Sequence, residues 1–227
     1  MMLPRIPALA AYLAIVAMPL VRGADVSGYR DFQLGMTLPA VLKQTGAAFS
    51  AVKVIHENPA LIQELEWQPL QFPGPSPETD PVRQVLFSFS KGELFRILAS
   101  YDRYRTEGLT PEDMIKAIAP RYGVATRPVG EEITLPSSYS TKVEVLARWE
   151  DPLNSVNLVS FPDLRSFGMV VFSKRADAMA RASILQSLRL EEQEAPQKEL
   201  ERQKRQADKD RAEQEKLRTA NKPRFRP

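Results

Sequence analysis

The chain has 227 residues, of which 43% are apolar and 26% are charged, a composition typical of a globular protein. It contains no cysteine, which excludes disulfide bonds, thiolate metal sites, cysteine nucleophiles and lipidation at a cysteine. The formal net charge of +3 is small, so we expect no general electrostatic attraction of the folded part to nucleic acid.

Residues 1–23 have the pattern of a secretory signal peptide. Arg5 precedes an almost wholly apolar run, and Gly23 is a small residue that a signal peptidase accepts. The alternative is an uncleaved membrane anchor, but the apolar run is shorter than the roughly 20 residues that a spanning helix needs. We expect cleavage after Gly23, a periplasmic or secreted protein and only transient membrane contact. Removing Arg5 and Arg22 with the signal lowers the formal charge from +3 to +1.

Residues 24–105 form the first predicted unit, which begins with a short helix. Thr37 is a suitable N-cap, and Gly46 suits the left-handed conformation that ends many helices. These two residues predict a helix over residues 38–45.

Strands are predicted to follow this helix. Residues 51–56 alternate between apolar and polar side chains, as half-buried strands do, and residues 65–67 show a shorter alternation. Five prolines in residues 69–81 exclude regular structure and predict a long exposed loop.

The most regular pattern of the chain, in residues 82–101, predicts a β-hairpin. Two alternating segments rich in phenylalanine, leucine and isoleucine flank Lys91 and Gly92. Glycine adopts the positive φ of a tight turn at low cost, so we expect Gly92 to reverse the chain. An isolated hairpin is marginal in water, and other elements must cover its apolar faces.

Residues 106–190 form the second predicted unit, again with a helix first. Thr110 is a suitable N-cap and Asp113 completes an acidic capping box, while Pro120 and Gly123 are expected to end the helix. A polar loop is predicted up to residue 140. The strands predicted after this loop span residues 143–149, 155–161 and 167–173, and a helix is predicted to begin at Lys174.

The two units resemble each other, which predicts an internal duplication. Each has a threonine-capped helix, then a strand that ends in Trp67 or Trp149, then a hairpin. The alternative is two unrelated stretches that share common capping rules. The expected fold class is α+β, with one or more antiparallel sheets built from two helix-plus-hairpin repeats, a C-terminal helix and a charged tail.

Residues 191–227 form this charged tail. Opposite charges four residues apart favour a helix, but no continuous apolar seam is present for a coiled coil. We expect either a solvated, fraying helix or a disordered segment, with a kink or restart at Pro196. The cations at its end offer a possible contact to an anionic polymer or lipid, although such tails are usually solvated.

The sequence contains almost no recognisable catalytic or metal-binding motif, so we expect no enzymatic activity, no cofactor and no metal. His56 is the single histidine, and one imidazole without cysteine cannot assemble the usual zinc shell. Paired carboxylates are the remaining option for a hydrolase, at Glu150 with Asp151 or at Asp102 near Glu107. Carboxylates at strand ends are more often turn residues that face water.

Two groups of residues are candidates for binding. Trp67 and Trp149 could stack a ligand, although the more usual role of such residues is to anchor a core. The second group follows the central hairpin and combines aromatic and basic side chains; its alternative is an ordinary strand exit with solvated cations. Its members are Tyr101, Arg103, Tyr104 and Arg105.

A resemblance adds to this interpretation. The series Leu34-Gly35-Met36-Thr37, then Gly46, then Phe89-Ser90-Lys91-Gly92-Glu93-Leu94 resembles the G-M-T…G…F-x-x-G-x-L pattern of small bacterial envelope domains. These are the lipoproteins of the outer-membrane β-barrel assembly machinery and the β-lactamase-inhibitory-protein-like fold, and Gly108-Leu109-Thr110 echoes the first part. The resemblance implies helices packed on an antiparallel sheet and a role in protein binding without catalysis. The chain lacks the lipidated cysteine of those lipoproteins.

The sequence therefore predicts an exported, non-enzymatic envelope protein that acts as a protein-interaction module, with a protein partner and no nucleic acid. Two alternatives remain open: a hydrolase that uses strand-end carboxylates, and a tail-mediated binder of an anionic polymer.

Overall fold

The computed structural model describes residues 25–69, 80–135, 142–161 and 165–223, and it has the expected α+β fold. The described part of the chain contains three α-helices, one large antiparallel sheet and a small two-stranded ribbon. In chain order the elements are β1 (Gly28–Tyr29), β2 (Phe32–Gln33), α1 (Leu38–Thr45), β3 (Val52–His56), β4 (Ile62–Trp67), β5 (Val82–Ser90), β6 (Glu93–Tyr101), α2 (Pro111–Tyr122), β7 (Glu132–Thr134), β8 (Lys142–Glu150), β9 (Asn154–Phe161), β10 (Ser166–Ser173) and α3 (Lys174–Asn221).

The large sheet has a symmetric strand order. Its eight strands run β3-β4-β5-β6-β10-β9-β8-β7, and each neighbouring pair is antiparallel. Each half is therefore a helix followed by a four-stranded meander, and the last strands of the two meanders, β6 and β10, pair at the centre. The two predicted repeats share one sheet, as this pairing joins their edges.

The first two helices begin and end where local chemistry predicts. Helix α1 spans the predicted residues, and Gly46 ends it with φ of 71°. Helix α2 has the predicted capping box between Thr110 and Asp113. Gly123 ends α2 as predicted, whereas Pro120 does not, because it lies inside the helix, which continues to Tyr122. A proline in the last turn removes only one intrahelical N–H, and the helix tolerates this loss close to its end.

The central hairpin is confirmed, with φ of 53° at Lys91 and 83° at Gly92 in its turn. Strand β4 is longer than the predicted 65–67, and β7 lies in a segment predicted to be a loop. Both are explained by pairing, because β4 lies between β3 and β5 and β7 pairs with β8. Most of the predicted proline-rich loop, residues 70–79, lies outside the described residues.

One face of the sheet carries the main core. Helices α1 and α2 and the β1–β2 ribbon pack on it, and they bury apolar side chains from both halves of the sheet. The ribbon is held by Tyr122, whose hydroxyl donates a hydrogen bond of 2.9 Å to the Gly28 carbonyl, and by the ion pair of Arg30 with Asp80.

The first part of α3 packs on the opposite face of the sheet. Asp177 is buried and forms an ion pair with buried Arg96 of β6, and it also accepts a hydrogen bond of 2.7 Å from Arg181. Ala180 packs in a small core with Ile62 and Phe95. These contacts fix the helix across the sheet.

Beyond this anchored part, α3 is one long solvated helix. From Leu188 to Asn221 every side chain is exposed except Glu199, which is partly exposed. The predicted restart at Pro196 is not observed, as a single helix runs through this residue. The carbonyl left unpaired by the proline lies on Glu192, which is exposed, so water can satisfy it. None of the described helices combines the length and apolar character needed to cross a membrane.

Candidate binding cleft

A cleft of about 640 Å³ lies at one end of the central strand pair, where the two halves of the sheet meet. Tyr101 ends β6, and Ser166 and Phe167 begin β10, so the symmetric strand order places both at the same end. Its lining residues come from β5, β6, β9, β10 and the segment between β6 and α2: Arg83, Tyr101, Arg103, Thr106, Glu107, Gly108, Leu109, Ser160, Arg165, Ser166 and Phe167. We call this feature the arginine cleft.

One wall of the cleft is a hydrogen-bonded turn after β6. The Asp102 carboxylate accepts hydrogen bonds from the backbone N–H of Tyr104 (2.8 Å) and of Arg105 (3.2 Å). Thr106 is buried, and its hydroxyl donates to the Asp102 carbonyl at 3.0 Å. The turn is thus built by local polar contacts, and it holds Arg103 at the rim.

Three arginines give the cleft its charge. Arg83 comes from β5, Arg103 from the turn after β6 and Arg165 from the residue just before β10. All three are exposed, and none forms an ion pair with a described residue. The Arg103 guanidinium lies 4.5 Å from the centre of the Tyr104 ring, a cation–π contact that orients it. Among the described residues that line the cleft, Glu107 is the single acid.

The floor of the cleft contains a neutral phenol. Tyr101 is 8% exposed, and burial raises the pKa of its hydroxyl well above the usual value, with the neighbouring Tyr29 raising it further. Tyr101 therefore stays protonated at physiological pH and adds no negative charge to the cleft. Its ring belongs to the main core, so it supports the cleft more than it projects into solvent.

The structure separates the predicted aromatic and basic cluster. Tyr101 and Arg103 line the cleft, Tyr104 lies beside it under Arg103, and Arg105 lies outside its lining. Arg83 and Arg165 were missed by sequence reasoning. Each is a lone cation at a strand end, and only the pairing of β5 with β6 and of β6 with β10 brings them towards Arg103.

The two tryptophans do not form a stacking platform. Trp149 is 2% exposed, and its indole N–H donates to the Gly123 carbonyl at 2.9 Å. Trp67 packs against Phe32 and Phe87 in the same core. Four strands separate β4 from β8, which puts the two residues about 24 Å apart. This placement fits the other role considered for the two tryptophans in the sequence, which is to anchor the core.

Of the remaining candidates for chemistry, Glu107 lines the cleft and Asp102 lies in the turn that forms its wall, whereas the others lie apart from the cleft or have structural contacts. His56 ends β3 at the edge of the sheet. Glu150 forms an ion pair with Lys174 at 2.8 Å, and the Asp151 carboxylate accepts hydrogen bonds from the backbone of Leu153 and Asn154. Among the described residues, no three histidine, aspartate or glutamate side chains are grouped to hold a metal ion.

Comparisons with protein-family models, with curated proteins and with solved structures find no match to this chain.

Proposed function

We propose that the protein is an exported, non-enzymatic interaction module of a bacterial-type envelope and that it binds a partner protein at the arginine cleft. The signal-like pattern of residues 1–23 supports export. The engagement of Asp102 and Asp151 in turns and of Glu150 in an ion pair supports a binding role over catalysis.

One observation carries this proposal: a concave site forms where the two halves of the sheet meet. Tyr101 and Ser166 at its floor and Thr106 in its wall are buried, whereas its rim presents exposed Arg83, Arg103 and Arg165. A polar rim around a buried centre is typical of protein–protein interfaces, and side chains that are already buried lose little further entropy on binding.

Site-specific photo-crosslinking in the native host tests this proposal. The photo-crosslinker p-benzoylphenylalanine replaces Leu109, which is 43% exposed at the cleft, or Leu217, which is 56% exposed far along α3. We expect a discrete higher-mass adduct, detected by immunoblot and identified by mass spectrometry, from position 109 and none from position 217. Both positions carry an exposed leucine, so hydrophobicity alone cannot explain a difference. Equal crosslinking at both positions, or none at either, would contradict the proposal.

A further inference from the structure

The arginine cleft has charge of one dominant sign. Among the described residues, three guanidinium groups stand against the Glu107 carboxylate in its lining and the Asp102 carboxylate in its wall, and the latter already accepts two backbone hydrogen bonds. The floor adds no compensating anion, because the Tyr101 phenol is protonated and Ser160 and Ser166 are neutral. The local excess of positive charge contrasts with a formal charge of only +3 for the whole chain.

The lack of ion pairs in the cleft differs from the rest of the sheet. Arg30 pairs with Asp80 at 2.7 Å, Arg96 with Asp177, and Arg148 with Glu131 at 2.5 Å. The fold thus supplies a carboxylate to each of these arginines. Among the described residues, no carboxylate forms an ion pair with any of the three arginines of the cleft, which come from three neighbouring parts of the fold.

All three cations are arginine rather than lysine, and this residue type indicates which chemical group of a binding partner would pair with them. The planar guanidinium group donates two parallel hydrogen bonds to a carboxylate, a geometry that an ammonium group cannot reproduce. A volume of about 640 Å³ lies in the range of ligand sites and accommodates a few side chains. The lining also includes Leu109 and Phe167, which offer apolar contact between the charged groups.

We propose that the arginine cleft binds an acidic peptide segment of the partner protein, whose carboxylates pair with Arg83, Arg103 and Arg165 while an apolar side chain contacts Leu109 and Phe167. This inference rests on the proposed function and names the chemistry of the partner. The charge complementarity of the cleft carries it: three cations from separate parts of the fold match several carboxylates along a chain better than one small anion.

Fluorescence anisotropy with the purified protein tests this inference. The probes are a short fluorescein-labelled peptide rich in glutamate and aromatic residues, and the same peptide with glutamine for glutamate. Each of the variants R83Q, R103Q and R165Q is expected to weaken binding of the glutamate peptide about fivefold, as for a partly solvated ion pair. The matched control is R189Q, an exposed arginine on α3, which should leave the affinity unchanged. Binding should also weaken with rising salt.

Several outcomes would overturn the inference. These are equal affinity for the two peptides, unchanged affinity in the triple variant of the cleft, and complete displacement of the peptide by millimolar inorganic phosphate, which would indicate a small-anion site. Concentration-dependent self-association that the triple variant removes would identify a second copy of this chain as the occupant. If the crosslink from position 109 persists in the triple variant, the proposed function stands and the acidic-segment inference fails.

Discussion

At the scale of single residues, the pairing of Arg30 with Asp80 joins the β1–β2 ribbon to the start of β5. The two side chains form hydrogen bonds of 2.7 and 2.9 Å, and the Asp80 carboxylate also accepts one from the Val82 backbone at 2.9 Å. The hydrogen bond from Arg30, ahead of the smaller contribution of Val82, lowers the pKa of Asp80, whereas burial opposes the shift. The charged form of Asp80 is thus favoured in the folded protein.

A carboxylate whose pKa is lowered by folding stabilises the protein above its unfolded pKa, and this contribution is lost as the pH falls through the folded value. We predict that Asp80→Asn lowers the free energy of unfolding at pH 7 by about 1 kcal/mol, since the pair is partly exposed. The difference from wild type should shrink below about pH 4. Urea unfolding of the variant and of the wild type at pH 7 and at pH 3 measures this difference in the free energy of unfolding.

The control for this prediction is Asp208→Asn, which removes an exposed aspartate from α3. We expect it to change the free energy of unfolding little at either pH. A loss in Asp80→Asn that is equally large at pH 3 and pH 7 would show that the charge of Asp80 does not act through Arg30.

At the scale of elements, the two helix starts offer a direct comparison. Both N-caps are threonines followed by a proline in the first turn. The Thr110 hydroxyl accepts a hydrogen bond of 3.2 Å from the backbone N–H of Asp113, and the Asp113 carboxylate in turn accepts one of 2.9 Å from the backbone N–H of Thr110. Thr37 makes no side-chain capping bond. The residue type is the same, but the residue three positions after Thr37 is Ala40, whose side chain cannot complete a capping box.

We predict that Thr110→Ala lowers the free energy of unfolding by about 1 kcal/mol, because it leaves a backbone N–H of α2 without its acceptor. The matched variant Thr37→Ala should cost at most a few tenths of a kcal/mol, since no such bond is lost. Chemical denaturation of both variants measures the difference. Equal losses would mean that the two hydroxyls contribute through something other than capping.

At the scale of the whole molecule, α3 has two parts with different roles. Its first part is anchored by the Arg96–Asp177 ion pair and by Ala180 in a small core. The run of residues 191–221 is about 45 Å long. The ion pairs described in it join its own residues, such as Glu194 with Lys198 at 2.8 Å and Glu215 with Arg218 at 2.6 Å.

We predict that ending the chain after Leu190 leaves the free energy of unfolding of the body unchanged within about 0.5 kcal/mol, as for surface changes that touch no core. The far-ultraviolet circular dichroism should lose helical signal in proportion to the residues removed. A matched truncation after Ser173, which also deletes Asp177 and Ala180, should destabilise the body, because it removes the ion pair with Arg96 and exposes the small apolar core around Ile62 and Phe95 to water. A loss of stability already at Leu190 would show that the charged part of α3 packs on the body.

The sequence by itself determined the local features of this protein. The ends of α1, the capping box of α2 and the Lys91-Gly92 hairpin were predictable because each depends on interactions within a few residues of the chain. The fold class was predictable too, because alternation with period 2 and helical patterns identify which segments pair and which pack.

Only the tertiary structure decided the arginine cleft and the short strand β7. Arg83, Arg103 and Arg165 are far apart in sequence, and they meet because β6 and β10 pair at the centre of a symmetric sheet. The burial of Trp149 and the partner of Arg96 were decided in the same way. Each strand has a similar local preference to pair with several other strands that are distant in the sequence. The sequence of one segment therefore does not determine the order of the strands in the sheet.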